Sequence, residues 1–389
     1  MIHMRRVVFI VFAAFLGFSA WAQEDQGRDL SKYANDQFRS DDKYTVETPY
    51  ETVTVAPVNP ENEIKNVIFI IGDGTGMTQI STGWVLNGGH LNLDNFKNVG
   101  YSRTTCTDRL ITDSSAGGTA LACGQKTKYG YIGVDEEGKP LQSLLHYAQE
   151  KGMKTGVTVS CRINDATPAD FVCHSLDRHE EANIAAQYVD SKVDFLCGGG
   201  RKFWDEREDG RNLIEEMESR GYTFVDSREQ LAAVESGKVV GLFAPLDMPP
   251  VLDRGPILEE SAVKAIDLLD NEKGFFLMIE GSQIDDWAHR NKVGYMAEEL
   301  FEFDRIIGKV LKWAEQDGHT LVIVTADHCT GGLTLVKGSV EERTVRVHFS
   351  TKGHNDIYVP VFAYGPHSEL FNGLHENAEI SRIVRSLMR

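Results

Sequence analysis

The chain reads Asn66-Val67-Ile68-Phe69-Ile70-Ile71 and then stops abruptly at Gly72-Asp73-Gly74-Thr75-Gly76. An unbroken apolar run of this length is typical of a central parallel strand, because a strand with one wet face alternates apolar and polar residues. The run therefore predicts an interior strand at residues 66–71, with Asp73 placed just beyond its carboxyl end.

The same rhythm continues along the chain. Short apolar runs predict further strands at residues 155–159, 193–197, 275–279, 320–325 and 359–364, and helical patterns occupy residues 141–150, 212–220, 257–270 and 296–316. Alternating strands and helices predict an α/β fold with one mainly parallel central sheet and helices on both faces. In such a sheet the ligand site lies beyond the carboxyl ends of the strands.

Two segments depart from this rhythm. Residues 50–55 alternate like a short edge strand that stops near Pro57 and Pro60. Residues 336–353 are rich in charge, which predicts a small inserted hairpin or flap. No linker divides the core, so we expect a single α/β domain over residues 61–389.

The first 22 residues have the order of a secretory signal peptide. Arg5 and Arg6 precede an apolar block over residues 7–18, and Ala20-Trp21-Ala22 supplies an A-x-A cleavage site. The block is too short for a lasting membrane span. We expect cleavage after Ala22, a polar N-terminal arm over residues 23–60, and an exported product, periplasmic or secreted, without a stable membrane anchor.

The net charge of −18 at pH 7 argues against a nucleic-acid partner, because phosphate backbones bind basic faces. It also means that an anionic substrate needs a local positive site. Six cysteines in an exported chain permit disulfides, yet they are scattered without CxxC spacing. Buried free thiols and one or two bridges therefore both remain open.

Polar side chains follow several predicted strands at the points where those strands end. The residues in question are Asp73, Glu280, Asp327 and His328. Asp285 and His289 stand at i and i+4, so on a helix they share one face. His354 precedes the strand at 359–364, so it joins this edge only if its loop folds back over the sheet. Carboxylates and imidazoles without a thiol pair suit Zn²⁺ together with a harder ion such as Mg²⁺.

Each of these features also has an ordinary interpretation. The glycines of Gly72-Asp73-Gly74-Thr75-Gly76 suggest a dinucleotide loop but lack the G-x-G-x-x-G spacing. Asp285 and His289 could form a solvated helical pair, and Arg178, in a charged stretch, could lie at the surface.

Two further stretches read as helix starts. In Thr112-Asp113-Ser114, either Asp113 or Ser114 could be a plain N-cap before the small residues that follow. Asp165-Ala166-Thr167-Pro168 predicts a helix with Thr167 as its N-cap and Pro168 at the first helical position.

Taken in order, these clusters resemble the metal-site motifs of the alkaline phosphatase family. The motifs are Ile71-Gly72-Asp73-Gly74, Thr112-Asp113-Ser114, Asp165-Ala166-Thr167-Pro168, Glu280-Gly281 through Asp285 to His289, Thr325-Ala326-Asp327-His328, and Gly353-His354 followed by Val359-Pro360-Val361. Each motif alone is weakly specific, whereas the ordered set is highly specific and spans residues 66–389. The resemblance implies an alkaline-phosphatase-like fold.

The resemblance also implies roles for individual residues. Ser114 would be the nucleophile, and Arg178 would grip two phosphate oxygens with its planar fork of donors. Two Zn²⁺ and one Mg²⁺ are implied as cofactors. One zinc would be held by Asp285, His289 and His354, and the second by Asp73, Asp327 and His328. The magnesium site would face Asp73 and be completed by Asp165, Thr167 and Glu280.

His348 competes with His354 for the third imidazole of the first zinc. We prefer His354, because His348 alternates with Val345 and Val347 and is expected to face solvent on the flap. Three divalent ions together with Arg178 outweigh the carboxylates, so this acidic protein presents a locally attractive pocket to phosphate.

The activity implied is hydrolysis of phosphate monoesters at alkaline pH through a phosphoserine intermediate. Two alternatives stay open. One is a phosphodiesterase or sulfatase on the same metal scaffold, although no C-x-P-x-R stretch supplies a sulfatase nucleophile. The other is a non-catalytic protein that binds phosphate or metal.

Two features depart from the family pattern. Asp286 stands where relatives carry a basic residue or histidine beside the zinc-ligand aspartate, and we expect its charge to weaken phosphate retention. Only 26 positions separate His328 from His354, in a region where larger relatives carry a surface insertion. We therefore expect no dimer contacts through such an insertion. A homodimer is still a possible assembly.

Overall fold

The computed structural model describes residues 42–388. Its strands are β1 (Lys43–Thr45), β2 (Asn66–Gly72), β3 (Asn98–Arg103), β4 (Lys154–Arg162), β5 (Phe195–Gly199), β6 (Tyr222–Val225), β7 (Lys238–Leu242), β8 (Phe275–Gly281), β9 (Thr320–Thr325), β10 (Cys329–Thr330), β11 (Leu333–Ser339), β12 (Thr344–Phe349), β13 (His354–Asn355), β14 (Val359–Tyr364) and β15 (Gly373–Glu376). Its α-helices are α1 (Met77–Leu86), α2 (Ser114–Cys123), α3 (Leu144–Glu150), α4 (Ala166–Val172), α5 (Glu181–Gln187), α6 (Lys202–Asp205), α7 (Leu213–Ser219), α8 (Arg228–Ala233), α9 (Val251–Arg254), α10 (Ile257–Leu269), α11 (Gln283–His289), α12 (Val293–Asp317) and α13 (Asn377–Leu387). Short 3₁₀ turns occupy Asn92–Asn95, Tyr188–Asp190 and Ser368–Phe371.

One ten-stranded sheet organises these elements, in the order β15-β3-β14-β9-β2-β8-β4-β5-β7-β6. Neighbouring strands are parallel except around β14, which is antiparallel to both β3 and β9. The predicted α/β fold with a mainly parallel sheet is therefore confirmed. The predicted central strand is β2, whose seven residues are all buried between β8 and β9.

The side chains of β2 alternate between two apolar layers. Ile68 and Ile70 pack into the core under α10 and α12, and Val67, Phe69 and Ile71 pack into the core on the opposite face. Each buried side chain of this size stabilises the fold by about 1.5–3 kcal/mol. Coverage on both faces explains why this strand reads as an unbroken apolar run.

The direction of β14 explains how the segment before it reaches the ligand-binding edge. β14 runs against β9, with Phe362 opposite Val324 and Tyr364 opposite Val322. Its amino end therefore lies where β9 ends. The expectation that a loop must fold back over the sheet to bring His354 to this edge is wrong, because one reversed strand already brings it there.

Most predicted elements occur with small shifts at their ends. The predicted strands at 320–325 and 359–364 coincide with β9 and β14, and the strand predicted at 193–197 lies two residues later, as β5. The four predicted helices are found as α3, α7, α10 and α12, with ends displaced by no more than three residues.

The edge strand predicted at residues 50–55 is wrong. This segment has no strand partner among the described residues, and its backbone N–H groups donate instead to asparagine side chains. Tyr50 N donates to Asn87 at 2.9 Å, and Val53 N donates to Asn92 at 2.8 Å. Side-chain acceptors that lie far away in sequence therefore replace a β ladder.

The predicted hairpin is present as β11 and β12, which pair antiparallel, and β1 adds a third strand beside β12. From residue 42 onward, the predicted polar arm is thus attached to the body. Tyr50 Oη fastens it further by donating to Asp304 at 2.7 Å. The predicted signal peptide, and the part of the arm before residue 42, lie outside the described residues.

Two other expectations can be compared with residues 42–388. None of the helices in this range is both long enough and apolar enough to span a bilayer. The six cysteines are all free thiols, so the alternative of one or two bridges is not realised.

Candidate active site

Three buried side chains at the ends of β2 and β9 form what we call the inner cluster: Asp73, Asp327 and His328. Parallel pairing of the two strands, with Ile71 opposite Thr325, brings these residues together. His328 Nε2 lies 3.4 Å from Asp73 Oδ1 and 3.2 Å from Asp327 Oδ2. One ligand atom from each residue lies within 4.8 Å of the others, which is the spacing of a single metal site.

The inner cluster holds negative charge away from water. Asp73 Oδ1 and Asp327 Oδ2 are buried, and neither accepts a hydrogen bond from any residue in the range 42–388. Burial, reinforced by repulsion from neighbouring carboxylates, raises the pKa of Asp73 well above its usual value and that of Asp327 to about 6. Burial and the nearby His354 lower the pKa of His328 well below its usual value. Two orphaned carboxylate oxygens and a neutral imidazole are donors that fit a zinc ion.

The outer cluster consists of Asp285, His289 and His354. Asp285 and His289 share one face of α11, and Asp285 Oδ2 lies 3.1 Å from His289 Nε2. His354 comes from β13, and its Nε2 lies 3.1 Å from His289 Nε2 and 3.8 Å from Asp285 Oδ1. The three ligand atoms therefore converge on one point, as the i, i+4 spacing and the choice of His354 predicted. His348 is exposed on β12, away from this group.

Backbone carbonyls orient both imidazoles of the outer cluster. His354 Nδ1 lies 2.9 Å from the carbonyl oxygen of Thr112, and His289 Nδ1 contacts the carbonyl oxygen of Lys352. A proton held on Nδ1 by a carbonyl leaves Nε2 available as a ligand. The two oriented Nε2 atoms and the carboxylate of Asp285 therefore also fit a zinc ion.

The charges of the outer cluster balance one another. Burial alone would lower the pKa of His289, but the Asp285 carboxylate outweighs burial and raises this pKa to about 9. Burial likewise opposes ionisation of Asp285, yet His289 and His354 together hold its pKa well below the usual value. The carboxylate therefore stays ionised among its histidines.

Ser114 opens α2 at the same edge of the sheet. Asp113 is the N-cap, because its Oδ1 accepts a hydrogen bond from Ala116 N at 3.1 Å. Ser114 Oγ lies 3.2 Å from His328 Nε2, so the hydroxyl faces the inner cluster. A Cβ at Gly117 would lie 2.9 Å from the carbonyl oxygen of Asp327, so a small residue there permits the close approach.

Arg178 lies beside Ser114 rather than on the open surface. Its Nη1 is 3.2 Å from Asp113 Oδ2, and its Nη2 is 3.2 Å from Asp165 Oδ1. The first of these carboxylates caps the helix of Ser114. The planar guanidinium is therefore held in a fixed orientation against the residue that precedes Ser114, and its planar fork of donors suits an anion.

The residues assigned to magnesium surround the next strand ends. Glu280, near the end of β8, stands opposite Ile71 in register and adds to the repulsion that raises the pKa of Asp73. Asp165 follows β4, and Thr167 is buried in the first turn of α4. These oxygen donors fit a hard cation such as Mg²⁺. The structure places Asp165 against Arg178 as well.

The predicted cap of α4 is wrong. Asp165, not Thr167, is the N-cap, with its Oδ1 accepting from Ala166 N at 2.7 Å, and Pro168 occupies the third helical position. Proline is tolerated there because N–H groups in the first turn have no partner inside the helix. The hydroxyl of Thr167 is therefore not required for capping.

Two site residues were not singled out from the sequence. Thr330 Oγ1 contacts Asp285 Oδ1 and lies 3.3 Å from His328 Nδ1, so it joins the two clusters. Its signal was the spacing of two from His328, because alternate residues of an extended segment share a face. Arg162 Nη2 lies 3.6 Å from Asp165 Oδ2, and Arg162 Nη1 lies 2.9 Å from Asp247 Oδ2. Nothing near Arg162 in the sequence predicts its contact with Asp247.

Comparison with known proteins gives a consistent result. Residues 64–342 match the alkaline phosphatase family. Alkaline phosphatase 4 of Bacillus subtilis is 39% identical over 292 residues, which cover 70% of this chain and 63% of that protein. Alkaline phosphatase 3 of the same organism is 32% identical, over 83% of this chain and 89% of that protein. Streptomycin-6-phosphate phosphatase of Streptomyces griseus is 31% identical, over 83% of this chain and 90% of that protein.

A solved structure agrees in fold. The alkaline phosphatase from the Antarctic bacterium TAB5 superimposes with a TM-score of 0.79 at 37% identity, over 84% of this chain and 98% of that chain. The family match covers most of the described residues, and several relatives more than 30% identical align over most of the chain. The chain therefore belongs to the alkaline phosphatase family.

Proposed function

We propose that this protein is an exported alkaline phosphatase that hydrolyses phosphate monoesters through a phosphoserine formed on Ser114. The observation that carries the proposal is the position of the Ser114 hydroxyl, 3.2 Å from His328 Nε2, on a helix whose capping residue Asp113 binds Arg178. A nucleophile, a cationic anion-binding group and two cation-binding clusters meet at one edge of the sheet. This is the set of groups that phosphoryl transfer needs.

The residues divide the work as follows. The outer and inner clusters would each hold one Zn²⁺, and Asp73, Asp165, Thr167 and Glu280 would hold one Mg²⁺. Bound divalent ions supply positive charge that favours the alkoxide of the serine and neutralises the phosphoryl oxygens. Arg178, held by Asp113 and Asp165, binds phosphate oxygens and orients the phosphorus toward Ser114.

The chemistry proceeds in two displacements. Ser114 Oγ forms a bond to phosphorus as the bond to the ester oxygen breaks, and the alcohol leaves. Water then attacks the phosphoserine, the Ser114 Oγ–P bond breaks, and inorganic phosphate is released. Asp113 accepts the N–H of Ala116, and the other N–H groups that open the helix of Ser114 favour an anion.

Substrate range, assembly and export belong to the same proposal. Broad specificity for phosphate monoesters is part of this proposal. The similarity to a streptomycin-6-phosphate phosphatase supports a bulky alcohol as one acceptable leaving group. The signal-like first 22 residues support export, and a homodimer remains part of the proposal.

The deciding experiment is an assay of the purified protein on an aryl phosphate, a phosphate diester and a sulfate ester. Each is measured before chelation, after chelation, and after restoration of zinc and magnesium. We expect monoesterase activity that chelation abolishes and the metals restore. Predominant diesterase or sulfatase activity would favour the related enzymes, and no hydrolysis of any ester would favour a binding protein.

A matched pair of serine variants tests the nucleophile. Ser114→Ala should reduce kcat by at least ~10³-fold, the scale of losing a principal catalytic group, while its zinc content stays unchanged. Ser115→Ala alters the adjacent buried hydroxyl and should retain activity within a few-fold. Robust monoesterase activity in Ser114→Ala would overturn the mechanism.

A further inference from the structure

A buried carboxylate beneath the helix of Ser114 has no role in the mechanism above. Asp170 lies on α4 and is 1% exposed. Its Oδ1 accepts a hydrogen bond of 2.7 Å from Thr119 Oγ1, one turn along α2 from the nucleophile. Its Oδ2 faces Gly118, where a Cβ would lie only 2.1 Å away. α2 and α4 are therefore in direct contact at this carboxylate, and a larger residue at position 118 would displace it.

Thr119 links Asp170 to a segment that we call the bridging loop, residues 129–134. The threonine Oγ1 accepts a hydrogen bond of 2.8 Å from Gly133 N. Its single proton is directed to Asp170, because the alternative acceptor, the carbonyl oxygen of Tyr131, is 3.3 Å away. The carboxylate thereby sets the orientation of the hydroxyl that holds the bridging loop.

The bridging loop in turn holds Arg178. Ile132 and Ser175 exchange two backbone hydrogen bonds of 2.9 Å, and Arg178 N donates to the carbonyl oxygen of Gly130 at 3.0 Å. Gly130 N donates to both carboxylate oxygens of Asp113, at 3.2 Å each. The same loop therefore fixes the backbone of Arg178 and the carboxylate that binds its guanidinium.

We propose that Asp170 is a positioning residue for the phosphate-binding Arg178, acting through Thr119 and the bridging loop. The inference rests on the proposed function of Arg178. An apolar side chain could fill the space between α2 and α4, but it could not accept the proton of Thr119. The threonine hydroxyl would then turn toward Tyr131, and the bond to Gly133 would weaken.

Two pairs of variants separate hydrogen bonding from shape. Thr119→Val removes the hydroxyl at nearly constant volume, and Thr119→Ser restores it. Asp170→Leu removes the acceptor, and Asp170→Asn keeps an oxygen that can accept from Thr119. We expect Val and Leu to raise both KM for aryl phosphate and the inhibition constant of inorganic phosphate by about tenfold, the cost of one lost hydrogen bond. Ser and Asn should stay within about threefold of the parent enzyme.

A control variant measures the effect of stability alone. Thr82 is also a buried helical threonine, but its hydroxyl donates to Thr78 of its own helix α1, away from Arg178. Thr82→Val should lower Tm without changing KM or phosphate inhibition, and zinc content should be unaltered in every variant. If Thr82→Val raises KM as much as Thr119→Val does, the effect is general destabilisation and the proposal is wrong.

A double-mutant cycle then tests whether the effect passes through Arg178. In an Arg178→Ala background, Thr119→Val should change kcat/KM by less than about twofold, because the group it positions is gone. A further tenfold loss in that background would overturn the proposal even if Asp170→Leu fails to fold. Failure of the proposed function has a different signature: the parent enzyme would lack monoesterase activity, or Ser114→Ala would retain it.

Discussion

The inner and outer clusters lie side by side and use the same ligand types, yet the fold balances their charges in opposite ways. In the outer cluster one carboxylate, Asp285, faces two imidazoles, and its pKa is lowered. In the inner cluster Asp73 and Asp327 face one neutral imidazole, and the pKa of both carboxyl groups is raised. Binding a cation therefore relieves the most repulsion at the inner cluster.

The two clusters also differ in how the chain builds them. The inner ligands follow two adjacent parallel strands, so the hydrogen-bond register of the central sheet places them. The outer ligands come from α11 and from β13, which pairs with β10 at the base of the hairpin excursion. The side chain of His328 is fully buried, whereas that of His289 is 26% exposed. The outer cluster is therefore the more exposed of the two, chiefly at His289.

The largest expected effect compares one histidine from each cluster. His328→Ala removes an inner ligand and the group facing Ser114, so kcat/KM should fall by at least ~10³-fold. His354→Ala removes one outer ligand and leaves the group facing Ser114 in place, so a smaller loss of about 10²-fold is expected. Both are measured with zinc and magnesium in excess.

The matching control is His348→Ala, which removes an exposed imidazole from the hairpin and should leave activity within about twofold. If His354→Ala is as damaging as His328→Ala, the proposed difference between the two clusters in catalysis is wrong. Metal content measured on the same samples shows whether each loss of activity accompanies a loss of bound zinc.

A smaller effect concerns the stability of the metal-stripped protein. A carboxyl group whose pKa is raised on folding binds its proton more tightly in the folded state, so its favourable contribution is present at low pH and is lost as pH rises. With the pKa of Asp327 at about 6 against an ordinary 3.8, this one group should lower the free energy of unfolding by about 2 kcal/mol between pH 4 and 6.5. Urea titrations of the chelated protein at each pH measure this fall in the free energy of unfolding.

The same titrations on two variants test whether the clusters differ in charge balance. Asp327→Asn should reduce the fall between pH 4 and 6.5, because one of the two inner carboxyl groups with a raised pKa is gone and Asp73 loses its repulsion. Asp285→Asn should reduce that fall less, because it removes only part of the repulsion that raises the pKa of Asp327 and leaves both inner carboxyl groups in place. Equal flattening by both variants would show that the clusters do not differ in charge balance.

The smallest effect concerns Asp286, which is buried on α11 next to Asp285 and adds to the negative charge around His289. Removing that charge should make the outer side of the pocket hold phosphate more tightly. Asp286→Asn should lower the inhibition constant of inorganic phosphate by about threefold, and Asp286→Lys by more, as expected for a partly screened charge. Unchanged inhibition by phosphate in both variants would show that the charge of Asp286 does not weaken phosphate binding.

Much of the inner cluster could be read from the sequence. An apolar run followed by a carboxylate, as at Asp73 and again at Asp327-His328, indicates ligands at the carboxyl edge of a parallel sheet. The helix of Asp285 and His289 is local too, because i, i+4 spacing places both side chains on one face. These predictions depend only on periodicity within a few residues.

The predictions that failed depend on distant partners. Residues 50–55 alternate like a strand, but the backbone N–H groups of this segment donate hydrogen bonds to asparagine side chains at positions 87, 92 and 95. Thr167 has the right residue type for an N-cap, yet α4 begins earlier, at a carboxylate that also contacts Arg178. Neither outcome is encoded locally, because the competing acceptors and cations come from elsewhere in the chain.

The sequence by itself determined the alternation of strands and helices, the buried central strand, and the chemical types of the ligands, because these follow from short-range periodicity and residue chemistry. The tertiary structure alone decided the direction of β14, which brings His354 to the site, and the contacts of Arg178, Thr330 and Asp170. Strand direction and side-chain pairing are set by which surfaces can be buried together. That choice is made by the whole chain rather than by any one segment.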